Sequence, residues 1–336
     1  MRLSAKSWVL FMAALSLPGL SVAVQYNETG EGQAFVRKMV EEYGFESERV
    51  KSLLGDARRD QSILDAISRP AEKTLSWHSY RKIFIRQERI AQGLEFMATH
   101  ADSLARAERQ FGVPPEIVAA IIGVETWYGR YRGNYRVLDA LATLAFDYPP
   151  RSRFFRSELE QYLLMTREQG LDPTVLKGSY AGAMGYGQFI SSSYRHYAVD
   201  FDDDGVADIL ENPVDAIGSV ANYFSEHRWQ PGEPVADRLS DELRTDSPLL
   251  TRGLKPTLTV ADYREADLLV PATVSDELPA RALYLDAEHE DELWLTYRNF
   301  YVITRYNHSH LYAMAVFQFA EALKSGDGGP EQRSDG

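Results

Sequence analysis

The chain has 336 residues, 44% of them hydrophobic and 25% charged, which is typical of a globular protein long enough to form more than one packed unit. Its formal net charge of −13 at pH 7 argues against a nucleic acid partner, because affinity for the phosphate backbone comes largely from lysine and arginine. The chain contains no cysteine, so we expect neither disulfides nor a thiol-linked lipid anchor, and core burial or a metal ion has to stabilise the fold.

The first 23 residues have the pattern of a secretory signal. Arg2 and Lys6 give a positively charged start, and Trp8 to Leu17 form an apolar run too short to span a bilayer, which takes about 20 residues. Small residues follow at Ser21-Val22-Ala23, where signal peptidase would cut. We expect residues 1–23 to be removed on export and the remainder to be soluble in the periplasm; a buried N-terminal helix is the alternative.

Residues 24–112 predict an N-terminal helical domain. Phe35, Val36 and Met39 recur at helical spacing, and residues 80–104 continue the same kind of pattern. We expect these apolar side chains to pack in a core.

Residues 113–230 predict a second, largely helical unit. Pro114-Pro115-Glu116 suits the first turn of a helix, since proline fits there and an acid favours the positive end of the helix dipole. Residues 117–124 are apolar on every side, so this helix should be buried at the centre of the fold. Further helical patterns cover Val137–Phe146, Arg153–Glu168 and Pro213–His227.

Residues 231–304 predict a small β-rich subdomain, because short β-branched and aromatic runs alternate there with turn residues. Residues 305–324 return to a helical pattern, from His310 to Lys324, and residues 325–336 are expected to be disordered. The predicted fold class is therefore α+β and predominantly α. The candidate strands are Leu258-Thr259-Val260, Leu268-Leu269-Val270 and Leu293-Trp294-Leu295.

Residues 200–211, termed the acidic loop, fit the calcium-binding loop of an EF-hand. Oxygen ligands fall at loop positions 1, 3, 5 and 9, while Gly205 supplies the sharp turn and Glu211 closes the loop. An acidic surface turn is the alternative, but it would have to place both of these residues by chance. A single loop and few methionines favour a structural Ca²⁺ ion over a calcium sensor. The predicted ligands are Asp200, Asp202, Asp204, the carbonyl of Val206, Asp208 and Glu211.

Glu125 directly follows the apolar helix and is the candidate catalytic acid. Beside Trp127 and Tyr128 its carboxyl would be poorly solvated, and desolvation disfavours the carboxylate form, as a general acid at neutral pH requires. On local sequence alone a salt bridge to Arg130 or Arg132 is the stronger interpretation.

Residues 178–189, termed the glycine-rich loop, contain four glycines that let the backbone approach a ligand closely. Ser179 and Gln188 could hydrogen-bond hydroxyls or amides of that ligand. The loop is not a phosphate loop, since no Gly-Lys-Ser/Thr follows it. A tight structural turn is an equally good interpretation.

Taken together, these segments resemble the membrane-bound lytic murein transglycosylase B family. The similarity extends from about residue 33 to residue 323, in the same order and with an EF-hand at the same place. The segments that carry it are 121–126, 138–144, 181–189, 215–224 and 305–308.

The resemblance implies a goose-lysozyme-like catalytic core within residues 113–230, a helical domain and a small β domain. It implies that Glu125 is the single catalytic acid and base, that catalysis needs no cofactor, and that the substrate is the glycan strand of peptidoglycan. It further implies glycan or peptide contacts at Tyr80, Ser179, Gln188, Tyr223, Tyr306, Asn307 and Tyr312.

Three positions depart from the family. The lipid-bearing N-terminal cysteine of its best-known members is missing, so the chain resembles the soluble branch and should have no membrane anchor. A basic pair is replaced by Pro150-Arg151, which puts one stem-peptide contact in doubt. Glu211 replaces a shorter acid and should bind calcium at least as well.

The expected reaction is cleavage of the β-1,4 bond between N-acetylmuramic acid and N-acetylglucosamine, with a 1,6-anhydromuramyl product. A lysozyme-type hydrolase, in which water replaces the muramyl O6, is the nearest alternative. A non-catalytic wall-binding protein and a calcium-sensing interaction protein belong to other classes. A monomer is the expected oligomeric state.

Overall fold

The computed structural model describes residues 25–68, 75–240, 243–244, 246–288 and 290–326. The predicted signal, residues 1–23, and residues 327–336 of the predicted disordered tail lie outside this part of the chain. The described residues form fourteen α-helices and six short strands. The prediction of a predominantly helical α+β fold is confirmed.

Six helices precede the central helix in the described part of the chain. The apolar pattern of residues 80–104 is divided among three of them, because the backbone leaves the helical region at Ile85–Arg86 and again at His100. The helices are α1 (Gly30–Tyr43), α2 (Ser47–Asp56), α3 (Gln61–Ile67), α4 (Trp77–Phe84), α5 (Gln87–Thr99) and α6 (Ala101–Phe111).

The central helix, α7 (Pro115–Thr126), is enclosed by α5, α6, α11 and α14. Every side chain from Ile117 to Val124 is buried, as its apolar sequence predicts. Truncating one of these, such as Ile121 to alanine, would cost about 2–5 kcal/mol, so α7 is a rigid support for the residue at its end. The surrounding helices are α8 (Val137–Asp147), α9 (Ser152–Glu168), α10 (Ser191–Tyr197), α11 (Pro213–Glu226), α13 (Arg298–Tyr306) and α14 (His310–Ser325).

Two antiparallel sheets complete the described fold. Strands β1 (Tyr135–Arg136) and β2 (Lys177–Gly178) form a short ladder at the start of the glycine-rich loop. The larger sheet has the order β3-β6-β5-β4, and with α12 (Val260–Arg264) it encloses a hydrophobic core of its own. Its strands are β3 (Ala236–Leu239), β4 (Leu258–Thr259), β5 (Pro279–Leu285) and β6 (Glu292–Tyr297).

One candidate strand in this region is wrong. Residues 268–270 form no strand, because the amide of Leu268 donates to the carbonyl of Tyr263 and closes the turn after α12, while Pro271 follows. Leu268 and Val270 are buried nonetheless, so their alternation reflects packing and not pairing. Residues 298–304 were predicted to belong to the β-rich segment but form most of α13.

The larger sheet packs on the helical core through Leu283, Leu285 and Trp294, and the loop between β5 and β6 adds hydrogen bonds to this contact. In that loop Asp286 accepts the amide of Trp77 through Oδ1 at 2.7 Å and the amide of His78 through its carbonyl at 3.2 Å. These are unpaired donors of the first turn of α4, so the sheet caps the helix that carries Tyr80. Across residues 25–326, apart from the gaps named above, no helix combines the length and the apolarity that a membrane crossing requires.

Candidate active site

Glu125 lies in the last turn of α7, and the chain reverses immediately after it. Trp127 and Tyr128 both have left-handed backbones, with φ of 51° and 59°, and the amide of Trp127 bonds the carbonyl of Gly123 at 3.1 Å. Such conformations cost non-glycine residues about 1–3 kcal/mol each, so the surrounding packing has to hold them. A Cβ on Gly123 would lie 2.6 Å from the Tyr128 hydroxyl, so the glycine makes room for this ring. The half-buried Glu125 carboxyl is thereby left at the helix end.

Tyr312, in the first turn of α14, donates a hydrogen bond from its hydroxyl to Glu125 Oε1 at 2.5 Å. Burial, and then the negative charge of Glu125, raise the pKa of Tyr312 well above its ordinary value of 10. The same two causes raise the pKa of Tyr306, whose hydroxyl donates to the carbonyl of Gly187 at 2.5 Å. Both phenols therefore remain protonated donors at neutral pH, and Tyr312 fixes the orientation of the carboxyl.

An aromatic cluster extends from this pair. The rings of Tyr223 and Tyr306 lie 4.8 Å apart, and His227 stacks on Tyr223 at 4.1 Å. The Tyr223 hydroxyl donates to the carbonyl of Arg305 at 2.6 Å, so this side chain is tied to the end of α13. Tyr80, on α4, is buried, and α4 packs against α14, the helix that carries Tyr312.

The glycine-rich loop has a defined shape. The hydroxyl of Ser179 accepts the amide of Ala183 at 3.1 Å, which closes the first half of the loop. Gln188 has a φ of 50°, and its side-chain amide donates to the carbonyls of Arg132 at 3.2 Å and Gly185 at 3.0 Å. The loop thus contains the tight turn that the sequence suggested, and the side chains of Ser179 and Gln188 bond the backbone that forms it.

The structure brings most of the predicted substrate contacts to one side of Glu125. Asn307 connects α13 to α14, and its carbonyl accepts the amide of Ser309 at 2.7 Å. The glycine-rich loop joins the cluster through the bond from Tyr306 to Gly187. The residues so connected are Tyr80, Glu125, Tyr223, Tyr306, Asn307 and Tyr312, with Ser179 and Gln188 on the adjoining loop.

The predicted salt-bridge partners of Glu125 form ion pairs elsewhere. Arg130 lies 3.9 Å from Glu88, and Arg132 lies 2.7 Å from Glu211. The hydrogen bond from Tyr312 therefore defines the environment of the carboxyl better than either arginine does.

The acidic loop connects α10 to α11, as in a helix–loop–helix calcium site. Oxygen atoms of Asp200, Asp202 and Asp204 all lie within 4.8 Å of one another. Asp200 also accepts the amides of Asp204 at 3.1 Å and Gly205 at 2.7 Å, which sets the curvature of the loop. Three converging carboxylates form a hard-oxygen donor set that fits Ca²⁺.

The later predicted ligands are arranged differently. Asp208 Oδ1 accepts the amides of Leu210 at 2.9 Å and Glu211 at 3.0 Å, and the Glu211 carboxylate bonds Arg132. Neither side chain joins the group formed by the first three aspartates. Val206, the predicted carbonyl ligand, is exposed.

Sequence analysis missed Asp215, which lies fully buried in the first turn of α11 beneath the acidic loop. Its two oxygens accept the amides of Phe201 and Asp208, each at 2.7 Å. Burial raises the pKa of Asp215, and the charges of Asp202 and Asp200 raise it further. An acid in the first turn of a helix is favoured by the helix dipole alone, so Asp215 carries no separate sequence signal for this contact.

Arg89 was also missed. Its guanidinium lies 4.5 Å from the ring centroid of Trp127, and the residue is only 8% exposed. Burial lowers the pKa of Arg89, although the group stays cationic at neutral pH. This cation–π contact supports the turn that follows Glu125. A lone arginine on an amphipathic helix carries no sequence signal for such a role.

Comparison with known proteins defines the class. A family model described as the transglycosylase SLT domain matches residues 28–321, which is most of the chain. The chain therefore belongs to this family and is an enzyme of the lytic transglycosylase class. The resemblance identified from the sequence is confirmed.

Individual relatives agree. The chain is 44% identical over 300 residues to membrane-bound lytic murein transglycosylase B of Escherichia coli (strain K12), covering 87% of this chain and 82% of that protein. The crystal structure of soluble lytic transglycosylase SltB1 from Pseudomonas aeruginosa matches with a TM-score of 0.84 and 49% identity, covering 88% of this chain and 99% of that one.

Two further structures carry ligands. Escherichia coli lytic transglycosylase Slt35 in complex with calcium has a TM-score of 0.83 and 42% identity, over 91% of this chain and 96% of that one. SltB3 from Pseudomonas aeruginosa in complex with NAG-anhNAM-pentapeptide has a TM-score of 0.78 and 29% identity, over 89% of this chain and 79% of that one. Related proteins thus bind peptidoglycan fragments.

Proposed function

We propose that the protein cleaves the β-1,4 bond between N-acetylmuramic acid and N-acetylglucosamine in peptidoglycan, and that it releases a 1,6-anhydromuramyl product. The observation that carries this proposal is the hydrogen bond from Tyr312 to Glu125, which orients one half-buried carboxyl at the end of a buried helix. Membership of the transglycosylase family supports the reaction class. The anhydromuramyl ligand of SltB3 supports the product.

In the first step the Glu125 carboxyl protonates the glycosidic oxygen, and the bond from that oxygen to C1 of the muramyl residue breaks. The 2-acetamido group of the substrate stabilises the positive C1, which is the substrate-assisted route known in some glycosidases. Tyr312 holds Oε1 throughout, so the orientation of the transferred proton is fixed before the substrate arrives.

In the second step the Glu125 carboxylate removes the proton from the muramyl O6 hydroxyl. O6 then attacks C1 and closes the anhydro ring, which restores the protonated carboxyl without consuming water. A single group acts first as acid and then as base. Glu125 suits this role because its carboxyl is half-buried and its orientation is held by the phenol of Tyr312.

The proposal includes a structural Ca²⁺ ion in the acidic loop. The three converging aspartates support it, as does the calcium complex of Slt35. When bound, the ion would neutralise the loop and order it, while the reaction itself would use no cofactor. Its proposed ligands are Asp200, Asp202, Asp204, the Val206 carbonyl, Asp208 and Glu211.

We further propose that the enzyme acts as a monomer on glycan strands in the periplasm, without a membrane anchor. The location follows from the proposed substrate. The proposed domain division assigns catalysis to residues 113–230, with residues 24–112 and 231–304 flanking the glycan and residues 305–324 completing the site.

Mass spectrometry of the soluble products from purified sacculi tests the reaction. Wild-type protein should release anhydromuropeptides, each lighter than the hydrolysis product by one water. Glu125→Gln should lower turnover by about 10³-fold or more, because it removes proton transfer in both steps. Glu116→Gln, in the first turn of the same helix, is the matched control and should leave turnover unchanged.

Other results would redirect the proposal. Hydrated, reducing muramic acid ends would make the enzyme a lysozyme-type hydrolase with the same fold. Binding without any release would favour the wall-binding alternative. Near-full activity in Glu125→Gln would show that another group supplies the proton.

A further inference from the structure

The second half of the acidic loop, residues 209–211, contacts the catalytic machinery directly. The guanidinium of Arg132 donates from Nη1 to the carbonyl of Leu210 at 2.5 Å and to Glu211 Oε2 at 2.7 Å. Arg132 lies two residues after the turn formed by residues 127–130, so one side chain connects two loops that are distant in sequence. Its side chain is 31% exposed, so it is largely held in place by these contacts.

The glycine-rich loop meets the same junction. The carbonyl of Arg132 accepts the side-chain amide of Gln188, and the guanidinium lies 5.3 Å from the ring centroid of Tyr186. The backbone carbonyl of Tyr186 in turn accepts the hydroxyl of Thr126, the neighbour of Glu125, at 2.9 Å. Three loops therefore meet around Arg132: the turn after α7, the glycine-rich loop and the acidic loop.

Backbone contacts show that this junction is closely packed. The amide of Tyr186 donates to the carbonyl of Ile209 at 3.1 Å. A Cβ on Gly185 would lie 2.3 Å from that same carbonyl, so only glycine permits the approach. A change in the conformational order of residues 209–211 would therefore change the conformational order of the glycine-rich loop.

We infer that Arg132 is a positioning residue that couples the acidic loop to the turn after Glu125. An ion held by the aspartates of the loop then also stiffens that turn and the backbone to which Gln188 is bonded. The inference rests on the proposed calcium binding and on the proposed role of Glu125. In this inference Arg132 contacts neither the substrate nor the ion. Its guanidinium bonds residues 210 and 211, and its carbonyl accepts the side-chain amide of Gln188.

The coupling has a thermodynamic consequence. If ordering the loop stabilises the turn, opening of the turn requires partial release of the ion, and the opening becomes rarer as calcium is added. At a calcium concentration 100 times its Kd, an opening fully coupled to ion release is suppressed by up to about 100-fold. Arg132 should carry most of that effect, because its side chain bonds residues 210 and 211 at once.

Hydrogen exchange of the full-length protein, with calcium and with a chelator, tests the inference without any substrate. The reporters are the amides of Gly129 and Tyr131, which donate to Thr126 within the turn. Calcium should slow their exchange in the wild type. In Arg132→Met this calcium-dependent protection should fall by about tenfold, measured at a calcium concentration about 100 times the Kd that calorimetry gives for that variant.

The matched control is Arg195→Met. Arg195, on α10, forms a comparable double hydrogen bond with Glu168, and its side chain is 27% exposed. It leads into the acidic loop from the other side but belongs to none of the three loops. Its variant should retain the calcium-dependent protection of Gly129 and Tyr131. Arg132→Lys keeps the charge and one donor, should show an intermediate loss, and replaces Arg132→Met if that variant does not fold.

Activity provides a second readout. Misplacing a catalytic turn by a small distance costs about 10–100-fold, so Arg132→Met should lower kcat/KM by about that factor and make it independent of calcium. Equal protection in Arg132→Met and Arg195→Met, or protection confined to residues 200–211 in the wild type, would overturn the inference. If wild-type protein fails to cleave sacculi, the proposed function fails, and the exchange experiment still decides the coupling.

Discussion

The candidate active site and the acidic loop both contain carboxylates, but the environments of these carboxylates are opposite. In the pocket the single half-buried Glu125 accepts a hydrogen bond from the neutral, buried phenol of Tyr312. In the loop Asp200, Asp202 and Asp204 crowd together at the surface, where water screens their repulsion. In the proposed function, one arrangement holds a proton that has to move, and the other prepares a place for a cation that has to stay. Because the chemical group is the same in both places, the environment determines the role of each carboxylate.

Removing calcium should have the largest effect on the loop. An ion that binds only the folded state at 100 times its Kd adds about 2.7 kcal/mol of stability, so a chelator should lower the Tm by several degrees. Scanning calorimetry with and without chelator measures this. Asp202→Asn should weaken calcium binding, whereas Asp203→Asn removes the same charge from a residue that is not a predicted ligand. If neither calcium nor Asp202→Asn changes the Tm, the proposal of a structural Ca²⁺ ion is wrong.

Tyr312→Phe should show whether the pocket depends on its donor. The ring stays, but the bond to Glu125 is lost, and we expect kcat to fall by about 10–100-fold. Steady-state kinetics on soluble glycan fragments measures the change. Tyr162→Phe loses a comparable buried hydrogen bond, to the carbonyl of Pro173, and should cost about 1 kcal/mol of stability with kcat unchanged. Equal kcat values for the two variants would mean that the phenol only packs.

Asp286→Ala should weaken the link between the larger sheet and the pocket. It removes the side-chain cap from the first turn of α4, which should cost about 1 kcal/mol in urea unfolding and raise KM through the displaced Tyr80. Glu288→Ala, in the same loop, removes only exposed ion pairs with His78 and Lys82 and should cost less than about 0.5 kcal/mol. The reverse order would show that surface charge and not capping attaches the sheet.

His227 should give the smallest effect. Burial lowers the pKa of His227 below its ordinary value of 6.5, and the charge of Arg305 lowers it further, while its contact with Tyr223 and the charge of Glu226 oppose the shift. Folding therefore favours the neutral ring. Its contribution to stability is present above about pH 6.5 and is lost as the pH falls below that value.

Urea unfolding at pH 7.5 and pH 5.5 can isolate this contribution. His227→Gln should lose less stability than the wild type between the two conditions, by less than about 1 kcal/mol because the ring is only partly buried. His196→Gln, on the exposed side of α10, should behave like the wild type. An unchanged slope in His227→Gln would mean that protonation is tolerated where the ring stacks on Tyr223.

The difference between the two regions also explains what the sequence could predict. The acidic loop is a contiguous segment, and its spacing alone brought Asp200, Asp202 and Asp204 to attention. Glu125 could be placed at a helix end because residues 117–124 are apolar, but nothing local pointed to a tyrosine 187 residues later. The resemblance to a family predicted Tyr312 as a site residue, which a pattern of apolar spacing could not have done.

Other features depend on contacts that no local pattern encodes. Arg132 and Glu211 are 79 residues apart, and each is an ordinary surface charge until the chain is folded. Leu268 and Val270 alternate like a strand because both pack into the core of the sheet, although the turn after α12 prevents pairing. Asp286 caps a helix that begins 209 residues earlier in the chain, and no local pattern around α4 points to it.

The hydrogen bond between Glu125 and Tyr312 also determines when, during synthesis and folding, the site becomes complete. A chain is synthesised from its N-terminus, so Glu125 emerges long before α14. Until α13 and α14 dock, the carboxyl lacks the phenol that orients it, and the aromatic cluster lacks Tyr306. A fragment that stops short of these helices would carry the acid without its pocket. An enzyme that cuts the wall of its own cell would therefore acquire its activity as one of the last events of folding.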